Sequence, residues 1–310
     1  MSLLVAVGGN AVHPEDIRGT TEEQEVVAER AASALLPLLE ADPRVLITHG
    51  NGPVVGKILL RMMLTRDAIP PMRLDVCVAH SQGGIGYLLM QALENVMRRE
   101  GKERSMTCVV TQVEVDPDAA FAEPTKPIGP FFSEAEARGF ERKGWRMMED
   151  AGRGWRHCVA SPEPRAVLNL AVIRTLLDAG LLVIAGGGGG IPVVRDQNGA
   201  WQGVQAVVDK DLTSVLLARS LGIEDLLILT AVEQIAIEYS TPRARRLDKV
   251  TASELRGYQR AGHFAKGSMA PKVEAALRHI EGGGRRAIIG HLRHAAAALA
   301  GSSGTHVVAG

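Results

Sequence analysis

Short, nearly all-apolar runs recur along the chain, and each ends in glycine or a polar turn: LLVAV (3–7), VLIT (45–48), MTCVVTQVEV (106–115), LLVIA (181–185), LLILT (226–230) and AIIG (287–290). Between them lie helical patterns, TEEQEVVAERAASALLPLLEA, QGGIGYLLMQALENVMRREG, PRAVLNLAVIRTLLDAG, DLTSVLLARSLG and PKVEAALRHIEGG. A strand that is apolar at every position has no face for water, so both faces of its sheet must be covered. Alternation of such strands with helices predicts an α/β fold, a three-layer α-β-α sandwich on a central, mainly parallel sheet. Ligands of such sheets collect at the carboxyl ends of the strands. Gly8-Gly9-Asn10, His49-Gly50-Asn51-Gly52 and the five glycines 186–190 all fall there.

With 310 residues, 46% of them hydrophobic, the chain can bury the core of one large domain or of two lobes. Its 35 basic and 35 acidic residues cancel without long like-charge blocks, which argues against a nucleic-acid or membrane-surface partner. The apolar start MSLLVAV lacks a basic leader region and is too short to span a bilayer, so a cytoplasmic location is expected. Cys77, Cys108 and Cys158 are odd in number and widely spaced, which predicts buried thiols and neither a disulfide framework nor a structural zinc site. The interval 115–165 breaks the pattern. It is rich in proline, holds Trp145 and Trp155, and carries one short helical pattern, SEAEARGFERKG, so it reads as a protrusion or lid packed by Phe131, Phe132, Trp145 and Trp155. The arginine-rich stretch 240–249 reads as a solvated irregular patch.

Several constellations carry chemistry. In AVGGN (6–10), backbone N–H groups after a strand can form a nest for an oxyanion, to which Asn10 adds an amide. THGNGPVVGKIL (48–59) places Pro53 at a helix start behind G-x-G, a ready anion site, but it has neither the P-loop nor the dinucleotide-fold spacing. His49 beside it has no second ligand at metal spacing. Five consecutive glycines exceed the needs of a turn and predict backbone facing a bulky anion. Lysine is scarce, 8 against 27 arginines, yet Lys126, Lys210, Lys266 and Lys272 stand in glycine- and proline-rich settings that suit a compact charge. Lys210 lies between two aspartates, with Asp211 expected to cap a helix beginning at Leu212. Lys272 falls in the first turn of a helix, unfavourable against the helix dipole unless an anion is near. Lys126 is fixed between Pro124 and Pro127. Glycine nests and constrained lysines together suit transfer of a phosphoryl group between two bound partners, a reaction that needs alignment and electrostatic clamping.

GGNA (8–11), THGNGPVVG (48–56), LDVCVAHSQGGIGYLLMQAL (74–93), VVTQVEVD (109–116), PTKPIGPFF (124–132), GRGWRHCVASPEP (152–164), GGGGIPVV (187–194), VVDKDLTSVLLA (207–218) and GSMAPKVEAALRHIEGGGRRAIIG (267–290) closely resemble, in order, the carbamate kinases of the amino-acid kinase superfamily. The resemblance implies an amino-acid kinase domain over 1–310, with a protruding subdomain at 115–165 and a nucleotide-binding lobe over 166–310. It implies a cytosolic homodimer of arginine metabolism that converts ATP and carbamate, or a similar small acid, into ADP and carbamoyl phosphate, with Mg²⁺ beside the nucleotide. By match to the motifs, Gly8, Gly9, Asn10, Gly50, Asn51 and Gly52 would hold the carbamoyl or phosphoryl end, and Lys126 would reach in from the protrusion. Lys210 and Lys272 would grip the phosphates while Asp211 organises them. Gly187, Gly188 and Gly189 would line the phosphoryl path, with Thr230 and Met269 completing the nucleotide-binding set. One segment departs from the family: where Thr-Asp-Val-Asp-x-Val-Tyr is usual, this chain has TAVEQIA, with Ala231, Glu233 and Ala236 at the altered positions. Loss of an aromatic that packs a base weakens binding by about 1–3 kcal/mol.

Overall fold

The computed structural model describes residues 2–14, 16–42, 44–120, 124–150, 152–239, 241–264 and 269–310. Lys266 lies outside them. In chain order the first half runs β1 (Leu3–Val7), α1 (Gly9–Val12), α2 (Thr21–Ala41), β2 (Val45–His49), α3 (Gly52–Thr65), α4 (Leu74–Arg99), β3 (Met106–Cys108), β4 (Gln112–Val115), α5 (Pro117–Ala120), β5 (Lys126–Phe132), α6 (Glu134–Glu141), β6 (Met147–Glu149) and β7 (Trp155–Val159). The second half runs β8 (Pro164–Val167), α7 (Leu170–Asp178), β9 (Leu182–Ile184), β10 (Ile191–Arg195), β11 (Trp201–Gly203), α8 (Lys210–Leu221), β12 (Asp225–Thr230), β13 (Ala236–Ile237), β14 (Arg245–Arg246), β15 (Lys249–Thr251), α9 (Ala252–Arg260), α10 (Met269–Glu281), β16 (Arg286–His291), α11 (Ala295–Ala300) and β17 (Thr305–Val308).

The central sheet has the order β15-β17-β16-β12-β1-β2-β9-β3. From β16 to β3 every neighbour is parallel, and β17 turns the edge antiparallel to β16. Successive residues of each strand serve opposite cores, as strand geometry requires. Leu3, Val5, Val7, Ile47 and Leu227 pack with the apolar faces of α2 and α4, while Leu4, Ala6, Leu46, Leu226 and Ile228 pack with those of α7, α8 and α10. This two-sided burial is the expected three-layer sandwich. A second sheet, β11-β10-β4-β8, and a small antiparallel sheet, β5-β7-β6, lie outside the central one.

Several expected elements differ in extent. The run 106–115 is two strands in two sheets, because Thr111 turns aside: its N–H donates to Gln82 and its hydroxyl to Val109 O. The helix expected over 164–180 is strand β8 followed by α7, because residues 164–167 pair with β4. Helix α4 begins at Leu74, well before the glycine pair Gly83-Gly84, which sits exposed within it. The protrusion holds the three-stranded sheet as well as α6. Its stack joins Phe132, Phe140, Trp145 and His157, with ring centroids 4.6, 5.3 and 4.2 Å apart in that order, while Phe131 and Trp155 instead lie under arginines. Of the cysteines, Cys77 and Cys158 are buried thiols and Cys108 is only partly so. No helix of the described residues is long and apolar enough to cross a membrane.

Candidate active site

The carboxyl ends of β1, β2 and β12 meet backbone to backbone. Gly8 N–H donates to Leu229 O at 2.8 Å and Gly50 N–H to Val7 O at 2.9 Å, and a Cβ on Gly50 would stand 2.5 Å from Gly9 N. Only glycine permits that approach. Asn51 precedes the first residue of α3 and buries its amide, which donates to Ser81 Oγ at 2.8 Å and leaves the opening N–H groups of the helix uncapped by a side chain. Such a helix start, with Pro53 in its first turn, attracts anions.

The glycine run answers to the protein as well as to any ligand. Gly186, Gly188, Gly189 and Gly190 all have positive φ, between 62° and 90°, a region that strains other L-residues. A Cβ at Gly187 would stand 2.5 Å from His49 Nε2, at Gly189 2.4 Å from Val208 O and at Gly190 2.2 Å from Val113 Cγ2. Gly188 alone of the five lines the pocket described below, over the Asn51 amide. Of the five, then, Gly188 faces the cavity and packing among neighbours dictates the others.

Helix α8 supplies the charge. Its N-cap is Asp209, not Asp211: the Asp209 carboxylate accepts from the Asp211 N–H at 2.9 Å, so the helix begins at Lys210, two residues before Leu212. The other oxygen of Asp209 takes Lys126 Nζ from β5 at 2.7 Å. Asp211, in the first turn, pairs through one oxygen with Lys210 and through the other with Lys272 of α10 at 3.1 Å. The lysine at the unfavourable end of α10 thus has its negative partner inside the protein. It does not lean on Glu274, which Arg256 and Arg278 occupy.

Three ammonium groups consequently face two carboxylates, one positive charge in excess. Burial raises the Asp209 carboxyl, but Lys126, Lys272 and Lys210 outweigh it and hold the acid well below its ordinary range. Asp211 is likewise raised by burial and lowered more by Lys210 and Lys272. Burial, with Lys272 nearby, pulls the Lys210 ammonium down against the hold of Asp211. For Lys272 burial also pulls down, but Asp211 and Asp209 prevail and raise it. Beneath the corner, His49 is fully buried. Its Nδ1 lies 3.2 Å from Gly50 O, its Nε2 has no partner among the described residues, and burial with nearby Lys210 lowers it to about 4, so it is neutral.

These groups enclose a cavity of about 150 Å³. Of the residues singled out from the sequence, Gly9, Asn10, Gly50, Asn51, Gly52, Lys126, Gly188, Lys210, Asp211 and Lys272 line it. Gly8, Gly187, Gly189, Thr230 and Met269 do not: Gly8 is tied to β12, Thr230 ends that strand, and Met269 packs on the core that α8 and α10 share. His80, Gly83 and Gly84 are exposed on α4 and stand outside the lining. Sequence reading missed Asp209 and Arg156, which also line it. Asp209 was legible as the first cap-capable residue of VVDKD, and Arg156 as part of the motif GRGWR. It also missed Gly56 and Gly129, where α3 and β5 touch so closely that a Cβ on Gly56 would stand 2.1 Å from Gly129 Cα. Among the described residues no three His, Cys, Asp or Glu side chains cluster as metal ligands.

A mainly parallel sheet, glycine turns at its carboxyl edge and lysines organised by the first turn of α8 define an amino-acid kinase scaffold, and residues 1–291 match the profile of the amino acid kinase family. A carbamate kinase of Thermococcus kodakarensis is 46% identical over 311 residues, covering 99% of this chain and 98% of that protein. A carbamate kinase-like protein of Escherichia coli is 43% identical over 311 residues, with 99% and 98% covered. The solved structure of Giardia lamblia carbamate kinase bound to AMP-PNP superposes with a TM-score of 0.89 at 41% identity, covering 100% of this chain and 98% of that one. The chain belongs to the carbamate kinase family.

Proposed function

We propose that this chain transfers the γ-phosphoryl group of ATP to carbamate, giving ADP and carbamoyl phosphate, and catalyses the reverse reaction. The observation that carries the reading is the convergence of Lys210 and Lys272 on the two oxygens of one buried carboxylate, with Lys126 facing them from a different sheet. Phosphoryl transfer spreads negative charge over the equatorial oxygens of the group in flight, and preorganised cations on both sides stabilise it without reorganisation. Lys210 and Lys272 would hold the nucleotide phosphates. Asn10 and the backbone of Gly9, Gly50 and Gly52 would hold the acceptor end with Lys126, and incoming anions would take over the charge that Asp209 and Asp211 now balance. The AMP-PNP complex of the Giardia relative supports a nucleoside triphosphate as donor.

Mg²⁺ fits as an ion carried chiefly by the phosphates and water, its usual mode. The acids at hand, Asp209 and Asp211, are already engaged by lysines. Bound there, it would neutralise part of the phosphate charge. Homodimerisation, a cytosolic site and a role in arginine metabolism are the family's expectations and belong to the same proposal.

A second reading keeps the scaffold and changes the acceptor to another small carboxylate. It is favoured by the altered TAVEQIA segment, whose Ala236 sits in the short β13-β14 ladder opposite Arg246. A coupled assay of ADP release with ammonium bicarbonate decides. Turnover in the parent and its loss in Lys210→Ala and Lys272→Ala support carbamate kinase. Turnover only with another carboxylic acid supports the second reading, and nucleotide binding without turnover on any acceptor overturns both.

A further inference from the structure

An asparagine just before a helix ordinarily caps it, its side-chain oxygen accepting from a backbone N–H two or three residues on. Asn51 stands at that position before α3, 2% exposed, and makes no such bond. Its Nδ2 instead donates to Ser81 Oγ of α4 at 2.8 Å. Ser81 has one hydroxyl proton, which goes to Val78 O at 2.7 Å, so toward Asn51 the hydroxyl can only accept. The amide is thereby turned one way, with its nitrogen toward α4. The serine is itself held in place: it is 1% exposed, and the amide of its neighbour Gln82 is tied to the backbone of Thr111, Nε2 donating to the carbonyl at 3.2 Å and Oε1 accepting from the N–H at 2.8 Å.

The oxygen of the Asn51 amide is left over. Among the described residues nothing donates to Oδ1, yet the sealed side-chain atoms without a partner are confined to Arg44 and His49, so Oδ1 opens on the cavity that Asn51 lines. Gly188 lies against the same amide, where a Cβ would stand 2.2 Å from Cγ, and so brings no side chain over it. The open N–H groups at the start of α3 and the ammonium of Lys126 supply this corner with donors, which suit the oxygens of a carboxylate. An acceptor atom among them serves no carboxylate oxygen. It is the complement of an N–H group attached to the carboxylate carbon, whereas a methyl group in that place would leave it buried and unpaired.

We propose that Asn51 Oδ1 recognises the amino group of carbamate, and that Ser81 is the positioning residue that points it there. The proposal rests on the reading of this corner as the acceptor site. It assigns the choice of carbamate over an acid of the same shape, such as acetate, to one hydrogen bond whose direction is set from α4.

Phosphonoacetamide and 2-oxopropylphosphonate test this without turnover. Each carries a phosphonate on a methylene carbon beside a carbonyl, neither can transfer a phosphoryl group, and they differ only in an amino against a methyl group. In calorimetry on the full chain the amide is expected to bind about ten- to hundredfold more tightly than the ketone, the range between a buried acceptor satisfied and one left unpaired. Ser81→Ala should shrink that margin by weakening the amide alone, and Asn51→Leu should erase it, whereas damage to packing would weaken both compounds alike. Equal affinities in the parent, or no binding of either compound, overturn the proposal even if neither variant folds. A Ser81→Ala protein that melts like the parent and keeps the full margin also overturns it. ATP formation from ADP and carbamoyl phosphate separates the proposal from the reaction it rests on. A parent that makes ATP but shows no margin between the two compounds keeps the carbamate reading and refutes the role of Asn51. A margin in a protein that makes no ATP from carbamoyl phosphate sinks the carbamate reading and leaves the amide-recognising site standing.

Discussion

The edge of the central sheet and the small sheet β5-β7-β6 contribute to one pocket but are built differently. At the central edge, Lys210 and Asp211 are buried, the positive-φ glycines Gly189 and Gly190 interlock with Val208 and Val113, and the whole corner rests on strands without exposed residues. The small sheet is a thin layer. Its stack of Phe132, Phe140, Trp145 and His157 is partly exposed, and Ile128 and Val159 join it to Val55, Cys77, Val78 and Val207. Two contacts then set where Lys126 stands: the backbone touch of Gly56 on Gly129, and the ion pair with Asp209. The lysines proposed to hold the phosphates sit in the packed frame, and the lysine proposed to meet the acceptor is carried by a separate, smaller layer.

The largest effect should come from the frame. Lys210→Ala should lower kcat by about 10³-fold, the order lost when a donor to a transferring group is removed, with melting temperature the check on folding. Removing Lys210 also leaves Asp211 with Lys272 alone, so Lys210→Arg, which restores charge without the compact ammonium, should recover only part of the rate. On the small sheet, Lys126→Met should cost about 10²-fold in kcat/KM, with the acceptor KM changing more than the nucleotide KM. If steady-state kinetics show equal changes in both KM values, the division of labour between the two layers is wrong.

The contact between the layers can be probed by two glycine substitutions in helices. Gly56→Ala drives a methyl against Gly129 Cα, and overpacking of this kind destabilises by about 1–3 kcal/mol. Gly84→Ala, in open space within α4, should stabilise by about 0.4–1 kcal/mol through the unfolded chain. Urea titration reads both. Only the Gly56 change should also raise the acceptor KM, because only it moves the strand that carries Lys126.

What the sequence disclosed follows from how local each signal is. All-apolar strands and their glycine ends are local, so the sandwich and the edge where Gly9, Asn10, Gly50 and Asn51 gather could be read directly. Lys210, Lys126 and Lys272 stood out because a scarce residue type occurred where its backbone setting was restricted. The pairing of Lys272 with Asp211 and of Lys126 with Asp209 joins positions 61 and 83 residues apart, and no spacing rule contains it. The same holds for the glycine run: that Gly187 meets His49 and Gly189 meets Val208 depends on the packing of β9 beside β2 and on the entry to α8. The N-cap was misplaced for a local reason. Asp209 and Asp211 are both competent caps, and the apolar periodicity that begins at Leu212 favoured the wrong one.

The smallest expected effect separates the two layers by pH, because each holds a histidine that its surroundings push down to about 4. Burial pushes His49, under the frame, and His157, in the small sheet, down to about 4. An unfolded histidine titrates near 6.5, so between pH 6.5 and 4 the unfolded chain binds a proton that the folded chain refuses. Stability therefore falls as pH falls through that window, by about 1.4 kcal/mol per unit for a fully buried ring, or about 2 kcal/mol between pH 7 and 5. His49 has no exposure and should show the full slope, whereas His157, partly exposed beside Trp145, should show less. Urea titrations at pH 7 and 5 on the parent, His49→Gln and His157→Gln measure slopes in which the other histidines cancel. A His49→Gln protein that loses as much stability on acidification as the parent would mean the ring under Gly187 already reaches water or a proton acceptor. The frame would then be no more tightly closed than the small sheet.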